Sequence, residues 1–387
     1  MTAECGQYGK KEKNLLQRGM GCLGEIFAPL VPALIFGGLI LGLRNIIGEI
    51  RFLAGGTRSM AELFPFWAGA YSFLWLIGEA VFYLLPTGIV WSVTKRTGTT
   101  EILGIVLGLT LVSPRLVNGF SAAEIPADCL PVWDFGFARV GMTGYQGQVI
   151  TAILAGLVLA GLEKLFRRIC PQVVSMIVVP FCSLLLAAVI VHTVIGPIGV
   201  KIAALLAGAV YGGLTSGFGV LLAGAFGFLY VPLVMTGLHH MTIVIDCQLI
   251  SLYGGTILWP MIALSNIAQG SAALAVAVLQ RRDERAARTD LSACLSCFLG
   301  VTEPALFGVN RKYGFPMVCG MIGSSIAGML SVGSGVQAVS IGVGGLPGIL
   351  SVYFQYWGMF LLSMGAAIMI PFVLTLLAGS RKLRGSL

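Results

Sequence analysis

Charge is what this sequence has least of. Only 10% of its 387 residues are Asp, Glu, Lys or Arg, against about 25% in a typical soluble domain. Histidine occurs just three times, at 192, 239 and 240. Adjacent His239 and His240 would point about 100° apart on a helix, so the chain lacks the i, i+4 pair that chelates a metal. Cys294 and Cys297 make a lone CxxC with no second pair, which reads as packed thiols rather than a zinc knuckle. None of the glycines forms a phosphate-binding loop, and neither a metal nor a cofactor is expected. The first 20 residues are polar and basic with no apolar h-region, so no cleavable signal peptide is expected. The basic residues are also not gathered into one stripe. Eighteen of the 24 fall in six separated clusters (Lys10–Arg18, Lys95–Arg96, Lys164–Arg168, Arg281–Arg288, Arg311–Lys312 and Arg381–Arg384), which argues against a nucleic-acid partner.

What remains is overwhelmingly apolar. Hydrophobic residues make up 57% of the chain, and 53 glycines come on top of that. A soluble globule has too little interior to hide so much apolar surface, so the expected class is an all-α polytopic membrane protein. Ten stretches are candidate spans: 26–43, 64–93, 102–113, 148–162, 173–200, 202–231, 256–279, 316–332, 336–350 and 353–378. Segment 102–113 is too short to cross alone. Segments 232–252 and 292–310 carry polar groups in apolar surroundings, as discontinuous helices or re-entrant hairpins do. GxxxG spacings at Gly38/Gly42 and Gly104/Gly108 predict close helix packing. The polar interval 114–147 reads as an extramembrane excursion. The spaced basic clusters place both termini and loop 281–291 in the cytoplasm. Segments 1–22 and 381–387 are then short cytoplasmic ends.

An ionisable side chain at membrane depth is expensive and needs a reason. Four places stand out: His239-His240 with Asp246 beyond, the run Gly300-Val-Thr302-Glu303-Pro304…Gly308-Val-Asn310, Glu79, and Arg44. Proline 304 cannot donate a backbone hydrogen bond, and Gly300 and Gly308 flank it. That pattern predicts a helix break with a carboxylate at its tip, the kind of place where membrane proteins hold polar solutes. Trp67, Tyr71, Trp75, Trp133 and Trp259 would suit a sugar ring face, or a lipid interface. The residues by themselves leave the solute open.

The run GVTEPALFGVN resembles the signature of enzyme IIC permeases in the glucose superfamily of the bacterial phosphotransferase system. VMTGLHHMTIVIDCQLI, the downstream WPMIALSNIAQG and the N-terminal IFAPLVPALIFGGLILGLRNIIG are similar to its sucrose, trehalose and β-glucoside branch, and most like the trehalose permeases. The resemblance spans about residues 23–380. It implies about ten transmembrane helices with two re-entrant hairpins, an elevator-type transport domain and a homodimer in the bacterial plasma membrane. It implies a disaccharide substrate, with trehalose favoured over sucrose or a β-glucoside, phosphorylated by a phosphocysteine on a partner IIB component that IIA supplies. By motif, Glu303 would be the general base for the sugar 6-hydroxyl. His239, His240 and Thr302 would contact sugar hydroxyls, with Asn310, Arg44 and Glu79 as supporting positions. Cys5 stands in AECGQYGK, which does not match the IIB motif, so IIB is expected on a separate polypeptide or lost by truncation. Two other readings stay open at this point: an ion-coupled secondary sugar transporter, and a sugar-binding membrane sensor without turnover.

Overall fold

Lipid offers backbone amides no water to bond, so an apolar chain satisfies them within helices wherever it can. In the computed structural model, which describes residues 25–49, 58–119, 130–136, 139–236, 239–281 and 283–383, helices dominate accordingly. The expected N-terminal segment 1–22, the last residues of the tail and the side chain of His240 lie outside this description. Helix α1 (Val31–Glu49) pairs with α2 (Pro65–Tyr83). Added Cβ atoms on Gly37 and Gly48 would strike Val81 and Tyr71, so the pair is antiparallel and glycine sets its close approach. Helix α3 (Leu85–Thr97) continues α2 past Leu84, and α4 (Glu101–Leu111) packs back against it. Gly104 faces Thr94 and Gly108 faces Thr87, the helix contact that the GxxxG spacing predicts.

Ion pairs fix one end of this bundle. Arg96 bonds Glu25 at 2.6 Å. Glu163 is wholly buried near the end of α5 (Val149–Ile169), where it accepts from Thr100 and from Arg167. The Lys95–Arg96 and Lys164–Arg168 clusters therefore share one end of the molecule. A short hairpin of β1 (Val132–Asp134) and β2 (Arg139–Gly141) occupies the polar interval near the other end of α4.

Helix α6 (Gln172–Ile190) runs through a π-helical turn, Val191–Ile195, directly into α7 (Gly196–Thr215). Two spans were expected at 173–200 and 202–231, but one 44-residue helical run crosses that boundary. At about 1.5 Å per residue it is roughly twice the hydrocarbon thickness. Pro197 does not stop the helix because the ladder has already widened into the π turn where a donor is missing. After it come α8 (Gly219–Thr236), α9 (His240–Tyr253), α10 (Leu258–Leu279), α11 (Glu284–Phe298), α12 (Phe315–Gly333) and α13 (Trp357–Leu383). Helix α10 is the axis of this half. Its small residues, among them Ala268, Ser271 and Ala272, let α11, α12 and α13 close around it until nearly its whole surface is buried.

Among the described residues seven helical runs are long and apolar enough to cross a membrane, and Glu101–Leu111, Gly219–Met235 and Met241–Tyr253 are shorter apolar helices. The expected span 336–350 is not a helix. Glycines 335, 342, 344, 345 and 348 and Pro347 deny it helical stability, and the chain there is extended before a 3-10 turn at Leu346–Ser351. This segment is nonetheless deep in the fold. Ala338 exchanges backbone hydrogen bonds with Thr256, and Val339 donates to Ser351. One apolar core joins both halves, with Phe27, Ile89, Leu107, Leu159, Leu264, Ile267 and Phe360 fully buried.

Candidate functional site

Two helix breaks meet at one cavity. The first lies between α8 and α9, where His239 caps α9 and its carbonyl accepts from the Thr242 hydroxyl at 2.6 Å. The second follows α11. Gly300 takes φ +99°, a left-handed conformation that other residues rarely adopt, and turns the chain toward Thr302, Glu303 and a π-helical run, Pro304–Asn310. The extended segment 341–344 clamps this turn in place. A Cβ on Gly345 would lie 2.0 Å from the Phe298 carbonyl oxygen, and one on Gly300 would lie 2.9 Å from Val343. Backbone rests on backbone there, which only glycine allows.

The cavity between these breaks has a volume of about 180 Å³. Thr302 and Glu303 come from one break, His239 and Thr242 from the other, and Trp259 and Asn266 from α10. The Glu303 side chain is exposed to it and makes no hydrogen bond or salt bridge among the described residues. The indole N–H of Trp259 is buried without an acceptor. Asn266 aims its amide at Gly344, where a Cβ would come within 2.5 Å of Nδ2. Buried donors without partners are rare in finished structures unless a ligand completes them. The set is one carboxylate, hydroxyls, an amide, an imidazole and an indole. It suits a neutral solute carrying many hydroxyls, which can donate to Glu303 and accept from the rest. Among the described residues no group of His, Cys, Asp and Glu is arranged to hold a metal ion.

The other residues singled out in the sequence sit elsewhere. Asn310 is fully buried and donates through Nδ2 to the backbone oxygen of Gln269 at 2.9 Å and to its Oε1 at 2.7 Å. It ties the π-helical run to α10 and does not line the cavity. Arg44 stacks its guanidinium on Tyr71 and Trp75, 3.8 and 4.4 Å from the ring centroids. Glu79 lines a second cavity near Trp75. Asp246 is buried behind the site, where the Thr256 hydroxyl donates to it and braces the entry to α10. Cys294 and Cys297 are buried free thiols, and Cys297 donates to the Asn266 carbonyl. Sequence reasoning passed over Tyr230, Thr242 and Asn266 as lining residues, since a polar side chain in an apolar helix looks the same whether it faces a neighbour or a cavity.

The family profile described as Phosphotransferase system, EIIC matches residues 24–324. The chain belongs to the phosphotransferase system EIIC family. Its relatives agree. The trehalose-specific EIIBC component of Escherichia coli K12 is 51% identical over 360 residues, covering 93% of this chain and 75% of that protein. The trehalose-specific EIIBC component of Bacillus subtilis 168 is 42% identical over 376 residues, covering 95% and 78%. The sucrose-specific EIIBC component of Pasteurella multocida Pm70 is 34% identical over 386 residues, covering 98% and 80%. In fold, the chain is similar to the crystal structure of the transporter ChbC, the IIC component of the N,N'-diacetylchitobiose-specific phosphotransferase system. That match has a TM-score of 0.57 at 15% identity and covers 96% of this chain and 95% of that one. EIIC membership fits the helical, membrane-spanning fold and the broken-helix cavity found here.

Proposed function

We propose that this EIIC chain carries trehalose across the bacterial plasma membrane and presents it for phosphorylation by a partner IIB component. The observation that carries the reading is the identity to the two trehalose-specific relatives, 51% and 42%, over nearly the whole chain. The cavity supplies compatible chemistry. In this reading residues 23–380 are the membrane domain, the basic ends face the cytoplasm, and the protein works as a homodimer whose transport half moves as an elevator.

The reaction needs a nucleophile, a base and a leaving group. The sugar 6-oxygen attacks phosphorus on the IIB phosphocysteine, the O–P bond forms as the S–P bond breaks, and the cysteine leaves as thiolate. The proton of the 6-hydroxyl passes to Glu303, whose unpartnered carboxylate is free to take it. His239, Thr302 and Thr242 hold neighbouring hydroxyls, and Trp259 and Asn266 donate to ring or hydroxyl oxygens. Precise placement matters because proximity alone lowers the barrier.

Vesicles containing the chain, supplied with IIB, IIA and a phosphoryl donor, test this. Radiolabelled trehalose should enter and be recovered as trehalose 6-phosphate, with a protonophore leaving uptake largely intact. Recovery of unmodified trehalose, with uptake abolished by the protonophore, would overturn the reading in favour of an ion-coupled carrier.

A further inference from the structure

A second cavity, of about 340 Å³, is lined by residues further along α1 and by the same 339–344 segment. Val31, Leu34 and Ile35 line the inner cavity with Glu303, while Leu41 lines the outer one. Between them stands Gly38, where an added Cβ would lie 1.9 Å from the Ile341 carbonyl oxygen. The extended segment 339–344 crosses α1 at that point. Its Val339 and Ser340 face the outer cavity, and its Ile341, Gly342 and Gly344 face the inner one. Consecutive residues of one segment, Ser340 and Ile341, therefore line one chamber and the other.

The outer chamber has the chemistry of a sugar site. Glu79 enters it from the apolar helix α2 and has no hydrogen bond or salt bridge among the described residues. A carboxylate at that depth is costly unless something occupies it. Ser340 is 1% exposed, and its hydroxyl is buried with no partner. The Tyr83 hydroxyl accepts from Gln146 Nε2 at 3.1 Å, which leaves its own proton to give. Asn118 and the Trp75 ring complete the wall. At about 340 Å³ it falls within the roughly 300–1,000 Å³ range of small-molecule pockets.

We propose that the Glu79–Tyr83–Ser340 chamber is a second sugar subsite, a waiting position from which the disaccharide reaches the Glu303 cavity when the 339–344 segment moves off Gly38. The inference rests on the reading that this chain transports a sugar. Along α1 the outer chamber is the one further from the basic N-terminal end, so it is the side from which sugar arrives if the basic clusters face the cytoplasm.

Equilibrium binding of radiolabelled trehalose to the purified full chain in nanodiscs tests it. The His239→Ala/Glu303→Ala variant disables the inner site. It should retain saturable binding of one sugar per chain, and adding Glu79→Gln, or Ser340→Ala with Tyr83→Phe, should weaken that remainder about tenfold or more, as loss of a charged or buried hydrogen bond does. In otherwise native chain, Glu79→Gln should raise the KM for uptake about tenfold and leave kcat within twofold. Size-exclusion profiles establish that each variant is folded, and either outer-site variant alone suffices for the comparison. Two results would overturn the subsite: wild-type chain binds trehalose and the inner-site variant binds none, or the residual binding ignores both outer-site variants. If wild-type chain binds no trehalose at all, the transport reading fails and takes the subsite with it.

Discussion

Single residues in this protein divide into those that face a solute and those that hold the frame, and the two kinds should fail differently. Asn310 is of the second kind. Its amide bonds Gln269 twice within a buried interface, so Asn310→Ala should cost about 1–3 kcal/mol of stability through the partners it orphans. Thermal unfolding in detergent should record this as a lowered midpoint, with trehalose affinity of the folded fraction changed less than threefold. His239 is of the first kind. It lines the cavity with Glu303, so His239→Ala should weaken trehalose binding at that cavity about tenfold or more with the unfolding midpoint nearly unchanged. Titration calorimetry on the same preparations separates the two. The sequence singled out both residues because polar groups in apolar runs draw attention equally. It could not say that Asn310 turns toward α10, since that depends on the π-helical run rotating it inward.

Glycine acts at the level of elements. The Gly104/Gly108 spacing was readable as a helix contact and serves as one between α3 and α4. The same spacing at Gly38/Gly42 looks identical in sequence, yet those glycines admit Ile341 of the extended segment and Leu350 of the 3-10 turn after it instead of a membrane helix. A local pattern records that something approaches closely and is silent on what. The segment 336–350 was misread as a span for a related reason: its apolar composition is that of a membrane helix, and only its glycine density and Pro347 speak for an extended path. The glycine contacts make a quantitative contrast. Gly345→Ala places a Cβ 2.0 Å from the Phe298 oxygen, whereas a Cβ on Gly365 meets nothing within 4 Å. Gly345→Ala should therefore displace the 298–303 turn, lowering the unfolding midpoint and abolishing sugar binding at the Glu303 cavity. Gly365→Ala, inside α13, should leave binding intact and hold or raise the midpoint. Scanning fluorimetry with a parallel binding assay decides it.

For the whole molecule, the class was evident from composition, and the family from the Thr-Glu-Pro and His-His runs. Chain path was less legible. The run from Gln172 to Thr215 stays helical through the Gly196-Pro197 breaker beside the expected boundary, and periodicity cannot distinguish one long helix from two in series. The proposed orientation rests on charge. The ends of α3 and α5 gather basic clusters on one side, and the β1–β2 hairpin lies toward the other. Arg285→Cys, at the start of α11, should react with a membrane-impermeant thiol reagent only after cells are opened, while Phe135→Cys, beside the hairpin, should react in intact cells. The opposite pattern would invert the orientation.

The central claim is that the Glu303 cavity is where sugar accepts the phosphoryl group. Single-turnover transfer from phosphorylated IIB to saturating trehalose, comparing native chain with Glu303→Gln, addresses it most directly. The substitution keeps shape and hydrogen bonding but cannot take a proton. The account predicts transfer slowed about 10²–10⁴-fold, the usual worth of a general base, with trehalose affinity measured without IIB within a few-fold of native. Transfer at the native rate by Glu303→Gln would contradict it and leave the Thr-Glu-Pro break as a structural turn.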